Sequence, residues 1–187
     1  MTDSQESGRP SSPTTLPAPS IDAEHERAVP TLYEWMGGAP AIERLITRFY
    51  QQVPLDPVLA PVFARMSPDH APHVAQFVAE VFGGPARYSE TSGGTQGGHP
   101  RMVAHHLGRA LTETQRARWV GLLLQCADEL GLPADPEFRS AFVAYLEWGS
   151  RLAVINSQPG VPEPQPAPMP VWGWGVPGGP YRDDSEG

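Results

Sequence analysis

The apolar positions in the middle of the chain recur with the spacing of helices that are buried along one face. Pro40 suits a first helical position, and Pro54 ends the pattern that follows it. The apolar residues between them fall on one helical face: Ile42, Leu45, Ile46, Phe49, Tyr50 and Val53. A shorter helix is predicted between Asp56 and Arg65, ending near Phe63.

A second amphipathic helix is predicted before Gly83-Gly84-Pro85, which terminates it. Its apolar face is formed by Val74, Phe77, Val78, Val81 and Phe82. His70 lies one turn before Val74 on that face, with His73 beside it. Residues 86–99 are glycine-rich, have few apolar side chains and are predicted to form a loop.

Three further helices follow this loop. Arg101 to Leu107 allows at most two turns before Gly108. Thr112-Glu113-Thr114-Gln115 matches a capping box and opens a helix that ends at Gly131. Asp135-Pro136 caps the last helix. No strand pattern competes, so the chain is predicted to be all-α, with one folded domain at residues 30–156.

The two ends of the chain differ from this domain in composition. Residues 1–29 are rich in serine, proline, threonine and acidic residues and are predicted to be disordered, because they bury too little surface to offset their ordering entropy. The proline- and glycine-rich extension of residues 157–187 is predicted to be unfolded as well. Its aromatic segments, Val171-Trp172-Gly173-Trp174-Gly175 and Gly178-Gly179-Pro180-Tyr181, could still fold back on an apolar groove or dock a partner.

Charge and cysteine content narrow the classes of function. The net charge of −8 disfavours nucleic acid and anionic membranes as partners, because both would repel the protein. The single cysteine, Cys126, excludes an intramolecular disulfide and any cysteine-based zinc or iron–sulfur site within one chain. No stretch is apolar enough for a membrane span, and the first residues lack the features of a secretory signal. A cytoplasmic protein is expected.

Two adjacent histidines precede the helix that begins after Thr112. In a short helix, Met102, Val103, His106 and Leu107 share one apolar side. His106 is therefore predicted to face the interior, whereas His105 is predicted to face solvent. The pattern alone leaves two roles open for His106, because a histidine on an apolar face is either a hydrogen-bonded core residue or a metal ligand.

If His106 binds a metal, the sequence allows two kinds of site. Together with His70 and His73 it would form a three-histidine zinc site. Alternatively, Tyr50 and Trp119 would place polar atoms opposite one imidazole in an apolar pocket for a flat cofactor. The simpler interpretation of these two aromatic residues is core packing, with the hydroxyl and the indole N–H bonded to backbone carbonyls.

Three segments, taken in order, have the pattern of one protein family. They are Leu32-Tyr33-Glu34-Trp35-Met36-Gly37-Gly38 leading into Leu45-Ile46-Thr47-Arg48-Phe49-Tyr50, then Phe77 to Phe82 with Gly83-Gly84-Pro85 and Tyr88-Ser89, and finally His99-Pro100-Arg101-Met102 through His106 to Trp119. With these segments, residues 31–156 resemble the truncated haemoglobins, specifically those of group II.

The resemblance implies a two-over-two helical sandwich around haem b. By position, His106 would be the proximal iron ligand, with Met102 near the same face of the haem. Tyr50 and Trp119 would be distal hydrogen-bond donors, and His70 would face the sixth coordination site. The other residues implied to contact the haem are Phe63, Val74 and Phe77 on the distal wall, and Tyr88, Arg101 and His73 at the propionate edge.

Two positions depart from the family pattern. Phe63 stands where several members have tyrosine, so one distal donor is absent. His70 stands where many members have a small residue, and it could either donate a hydrogen bond to the ligand or bind the iron in a six-coordinate resting state.

The resemblance implies reversible binding of O₂, and of NO and CO, with O₂ held by Trp119 and Tyr50. An alternative is an NO dioxygenase or a peroxidase-like enzyme. Because the chain has no flavin or nicotinamide fingerprint, such turnover would need an external reductase. A third possibility is a haem-free interaction module that uses the tryptophan-rich tail.

Overall fold

The computed structural model describes residues 29–91, 98–176 and 178–180. All regular secondary structure in this part of the chain is helical. The α-helices are α1 (Leu32–Trp35), α2 (Gly38–Gln52), α3 (Ala60–Phe63), α4 (His70–Val81), α5 (Arg87–Thr91), α6 (Gly98–Ala104), α7 (Glu113–Glu129) and α8 (Pro136–Asn156), and a 3₁₀ helix follows α2 at Val53–Leu55. The predicted disordered segment of residues 1–29 lies outside the described residues, apart from Val29.

The four longest helices form the two layers of the fold. Helix α2 packs against α4, helix α7 packs against α8, and α2 also contacts α7. The core between them contains fully buried aromatic side chains, among them Phe49, Phe82, Phe138 and Phe142. This arrangement confirms the predicted all-α, two-over-two helical sandwich. Within the described residues, no helix combines the length and the apolar character that crossing a membrane requires.

Side-chain caps define where several helices begin. At α7, the Thr112 side chain accepts a hydrogen bond from the Gln115 backbone N–H, and the Gln115 side chain accepts one from the Thr112 backbone N–H. These two bonds confirm the predicted capping box. A second capping box, between Thr31 and Glu34, opens α1. This helix is absent from the sequence prediction, although the signal for it is present in Thr31-Leu32-Tyr33-Glu34.

The Gly83-Gly84 turn brings the end of α4 against the start of the domain. Gly83 has a φ of 89°, and a Cβ atom there would lie 2.9 Å from the Thr31 side chain. A Cβ on Gly84 would lie 2.7 Å from the Tyr33 ring. Both positions therefore need glycine, one for its backbone conformation and both for the close approach of α1.

Helix α5 corrects the predicted loop at residues 86–99. The Ser89 backbone N–H donates to the Glu80 carboxylate at 2.9 Å, and the Ser89 hydroxyl donates to the same group. The buried Tyr88 ring packs edge-on against Phe77, with ring centroids 5.1 Å apart. These contacts with α4 stabilise a helix that the local sequence does not indicate, because they depend on partners distant along the chain.

The C-terminal extension folds back onto the domain. It forms neither helix nor strand from residue 161 to residue 175, yet Trp174 is 8% exposed and its indole N–H donates to the Pro30 carbonyl at 2.6 Å. Of the possibilities that the sequence leaves open for the extension, its described residues take the fold-back onto the domain. Proline prevents regular structure, but it does not prevent an extended segment from docking through large aromatic side chains. Tyr181, the last aromatic residue of the predicted pattern, lies outside the described residues.

Candidate functional site

The segment that bears His106 begins as α6 and ends as a tight turn. Helix α6 starts three residues before the predicted Arg101 and stops at Ala104. The turn continues with a hydrogen bond from the His106 N–H to the Val103 carbonyl at 2.9 Å, which has the spacing of a 3₁₀ turn. Despite this tightening, His106 and Met102 are half-buried and His105 is exposed, as the helical phase predicts.

The His106 imidazole is oriented by the helix that precedes it. Its Nδ1–H donates to the Met102 carbonyl at 2.9 Å. Its Nε2 has no hydrogen-bond partner among the described residues. Burial lowers the pKa of His106 below its ordinary value, which favours the neutral ring. A neutral imidazole with Nδ1 protonated presents a free Nε2 lone pair, which is what a metal ion requires.

A second cluster brings together Tyr50 of α2, Phe63 of α3 and His70 of α4. The Tyr50 and Phe63 rings pack edge-on with centroids 5.6 Å apart, and His70 contacts both rings. The Tyr50 hydroxyl and the His70 Nε2 are 2.8 Å apart and share a hydrogen bond. Each residue comes from a different helix, so this cluster exists only in the folded chain.

The Tyr50–His70 pair is neutral at physiological pH. Burial, followed by the positive groups of His105, Arg109 and other neighbours, lowers the pKa of His70 to about 4. Burial also raises the pKa of the Tyr50 hydroxyl well above its ordinary value, so that it stays protonated.

Trp119, on the second turn of α7, is half-buried beside this cluster. Its ring packs edge-on against Phe49 with centroids 5.6 Å apart, and Phe49 packs in the same way against Tyr50 at 5.0 Å. Among the described residues, none accepts a hydrogen bond from the Trp119 indole N–H. The indole is thus a free donor that Phe49 holds at a defined distance from Tyr50.

An ion pair between Asp56 and Arg118 positions this part of the site. Asp56 is buried, accepts hydrogen bonds from the N–H groups of Val58 and Leu59 at 3.0 Å each, and pairs with Arg118, the residue before Trp119. It therefore joins α7 to the segment before α3. Sequence reasoning missed this pair, although an aspartate before proline after a helix end is a recognisable turn signal.

We predict that Asp56→Ala lowers the free energy of unfolding by about 2–3 kcal/mol, because it leaves two backbone N–H groups and Arg118 without their acceptor. Burial alone would raise the pKa of Asp56, but the bonds from Arg118, Leu59 and Val58 hold it below its ordinary value. The stabilisation is therefore lost as the pH falls below about 4, and the difference from wild type should shrink there.

Urea unfolding at pH 7 and pH 3 measures this prediction. Asp69→Ala is the matched control, since Asp69 precedes α4 but makes no side-chain capping bond. That control should change the free energy of unfolding by less than about 0.5 kcal/mol. Equal effects of the two substitutions at pH 7 would contradict the positioning role of Asp56.

The remaining residues predicted to contact the cofactor differ in how deeply they are buried. Val74 is half-buried, whereas Phe77 is 8% exposed and Tyr88 is 2% exposed, so the last two lie in the core. Arg101 is exposed, as is His73, whose Nδ1–H donates to the Asp69 carbonyl at 2.6 Å.

The described residues favour one of the two metal sites that the sequence allows. They contain no group of three or more histidine, cysteine, aspartate or glutamate side chains placed to hold a metal ion, so the zinc site of His70, His73 and His106 is not assembled. The site instead offers the neutral His106 imidazole with its unpaired Nε2, the Trp119 indole as a free donor, and half-buried apolar side chains: Phe63, Val74, Met102 and Trp119. This set fits haem, which needs one axial nitrogen and apolar walls.

The two-over-two fold and this site define a truncated globin. Residues 31–147 match the family model described as bacterial-like globin. The chain belongs to the bacterial-like globin family, and its cofactor is haem with iron. It therefore binds ligands of the globin type, and the haem-free alternative is not supported.

Individual relatives agree with this family. The chain is 29% identical to the group 2 truncated hemoglobin YjbI of Bacillus subtilis over 121 residues, which cover 65% of this chain and 86% of the relative. It is similar to the structure of the group II truncated hemoglobin from Bacillus anthracis, with a TM-score of 0.58, 29% identity, and coverage of 67% of this chain and 91% of that one. The structure of a truncated oxygen-avid haemoglobin from Bacillus subtilis gives a TM-score of 0.56 at 28% identity and covers 67% and 99% of the two chains.

Proposed function

We propose that this protein binds O₂ reversibly and releases it slowly, with His106 as the proximal ligand of the haem iron. The observation that carries this proposal is the hydrogen bond from the His106 Nδ1–H to the Met102 carbonyl, which leaves Nε2 free. Haem supplies a ferrous iron that binds O₂, NO and CO. The likeness to a structure described as an oxygen-avid haemoglobin supports O₂ as the ligand.

The proximal role of His106 follows from its local structure. The bond to Met102 selects the tautomer and holds the plane of the ring, which keeps Nε2 aimed in one direction. Met102 itself is half-buried and packs against the core, so it would contact the same face of the cofactor. Burial keeps the imidazole neutral and available.

On the distal side, Trp119 is the residue whose N–H is free to donate a hydrogen bond to a bound gas ligand. Its N–H has no competing acceptor among the described residues. The Tyr50 hydroxyl, by contrast, is shared with His70. Either Tyr50 donates to a neutral His70, or the His70 Nε2–H donates to Tyr50 and frees the tyrosine proton for the gas ligand. Trp119 should therefore hold a ligand that has partial negative charge more strongly than Tyr50 does.

The other residues would enclose the cofactor. Phe63 and Val74 are half-buried and suit the distal wall, with Phe77 packed behind them in the core. Arg101 and His73 are exposed, as residues near solvated propionates would be. Tyr88 is buried, so a role at that edge would require its hydroxyl to reach the propionates from the core.

The Tyr50–His70 hydrogen bond also affects how many ligands the haem iron would have in the resting state. A His70 ring already bonded through Nε2 to Tyr50 cannot offer that nitrogen to iron. We therefore propose a five-coordinate ferrous resting state, with His70 positioning Tyr50. A six-coordinate ferrous spectrum would contradict this assignment.

The functional test compares binding with turnover. The ferrous protein should bind O₂ and CO reversibly and release O₂ slowly in stopped-flow experiments, with or without an added reductase. If NO is also oxidised catalytically, nitrate should form in repeated turnovers only when an external reductase is present. Rapid O₂ release by the wild-type protein, together with reductase-dependent nitrate formation, would replace O₂ binding with NO dioxygenase as the function.

A further inference from the structure

The C-terminal extension contacts the end of the segment that bears His106. The Ala110 N–H donates to the Ser157 carbonyl at 2.8 Å, and the Leu111 N–H donates to the Ser157 hydroxyl at 2.9 Å. The Gln158 side-chain amide donates to the Leu111 carbonyl at 3.0 Å. Ser157 is fully buried. The first residues of the extension thus hold the chain only a few residues after His106.

The same extension also reaches the beginning of that segment. Met169 packs beside Gly98, the first residue of α6, where a Cβ atom would lie 3.2 Å from the Met169 sulfur. The same Cβ atom would lie 3.2 Å from the Ser89 hydroxyl and 3.4 Å from the Tyr88 ring of α5. Met169 and two residues of α5 therefore close together around the first residue of α6.

Two tryptophans hold Met169 in this place. The Trp172 backbone N–H donates to the Val81 carbonyl at 2.8 Å, and its indole N–H donates to the Ala141 carbonyl at 3.0 Å. The Trp174 indole N–H donates to the Pro30 carbonyl. Three donors of the extension thus meet three acceptors on separate parts of the domain, in addition to ring contacts with Trp35 and Tyr145. This pairing is specific, unlike the general burial of an apolar tail.

Helix α6 needs such support. It has seven residues, too few to be stable alone in water, and its helix–helix packing is mainly with α5, which has five residues. A segment with so few contacts is expected to open locally far more often than the core helices do. Contacts at both of its ends would reduce that opening.

We propose that residues 157–174 act as an intramolecular clasp that closes the His106 segment at both ends and thereby slows the loss of haem. The partner of this surface on the globin domain is the chain's own extension. The effect on haem rests on the proposed role of His106, whereas the effect on the segment itself does not.

Hydrogen–deuterium exchange of the haem-free protein tests the clasp independently of haem. Met169→Ala and Trp172→Ala should each speed amide exchange in residues 98–111 by about tenfold or more. The matched control is Val171→Ala, which lies between them in the extension but is 83% exposed. Exchange in the two variants within about twofold of the control would overturn the clasp.

Transfer of haem from the loaded protein to excess apomyoglobin tests the functional consequence. Met169→Ala should lose haem about five- to tenfold faster than the Val171→Ala control. Because substitutions could disturb folding generally, a chain ending at Gly160 is compared with and without a synthetic peptide of residues 161–180. The peptide should slow both exchange and haem loss. Faster exchange with unchanged haem loss would contradict His106 as the haem anchor, and so the effect on haem, while confirming the clasp.

Discussion

Replacement of His106 by glycine should abolish stable haem binding, and imidazole added to the solution should restore it. The substitution removes the proposed proximal iron ligand but keeps the space that the ring fills. Loss of just a hydrogen-bond partner of a ligating histidine weakens metal binding by roughly 10- to 100-fold, so loss of the ligand should weaken it by at least about a hundredfold. The Soret band of the purified protein, with and without imidazole, measures the effect.

The neighbouring histidine provides the control. His105 is exposed and lies on the other side of the turn, so His105→Gly should retain its Soret band. Both variants place glycine in the same turn, which matches their effects on backbone flexibility. A normal Soret band in His106→Gly without imidazole, with unchanged helical circular dichroism, would show that another residue binds the iron.

Replacement of Trp119 by phenylalanine should speed the release of O₂ by roughly ten- to a hundredfold. Hydrogen bonds to charged groups contribute about 1.5–3 kcal/mol, and about 1.4 kcal/mol corresponds to a factor of ten. Phenylalanine keeps the edge-on contact with Phe49 and removes only the N–H donor. Stopped-flow displacement of O₂ by excess CO measures the rate.

Two further variants distinguish hydrogen bonding by Trp119 to O₂ from general effects of an aromatic substitution on the structure. Trp148→Phe alters another tryptophan, which packs on the extension, and should leave O₂ release unchanged. Tyr50→Phe should have a smaller effect than Trp119→Phe, because the Tyr50 hydroxyl is already shared with His70. If Tyr50→Phe has the larger effect, His70 acts as the hydrogen-bond donor in the Tyr50–His70 pair and Tyr50 is the principal donor to O₂.

Much of the fold could be predicted because its signals are local. The capping box at Thr112 and the aspartate–proline cap at Asp135 act within one turn of the chain, and both are present in the structure. The phase that turns His106 inward and His105 outward is also local, since it follows from residue spacing. Helix α5 could not be predicted in this way, because Glu80 and Phe77 stabilise it from another helix.

The sequence by itself determined the four long helices, their order and the residues on them that face the interior, because a helix depends on caps and periodicity within a few residues. Only the tertiary structure decided that Tyr50 shares its hydroxyl with His70, that Asp56 joins the turn before α3 to α7, and that Trp172 and Trp174 hold the extension on the domain. These contacts join residues from 20 to 144 positions apart. Which residues are brought together in these contacts depends on how the helices pack in three dimensions, and no local sequence pattern indicates the pairing.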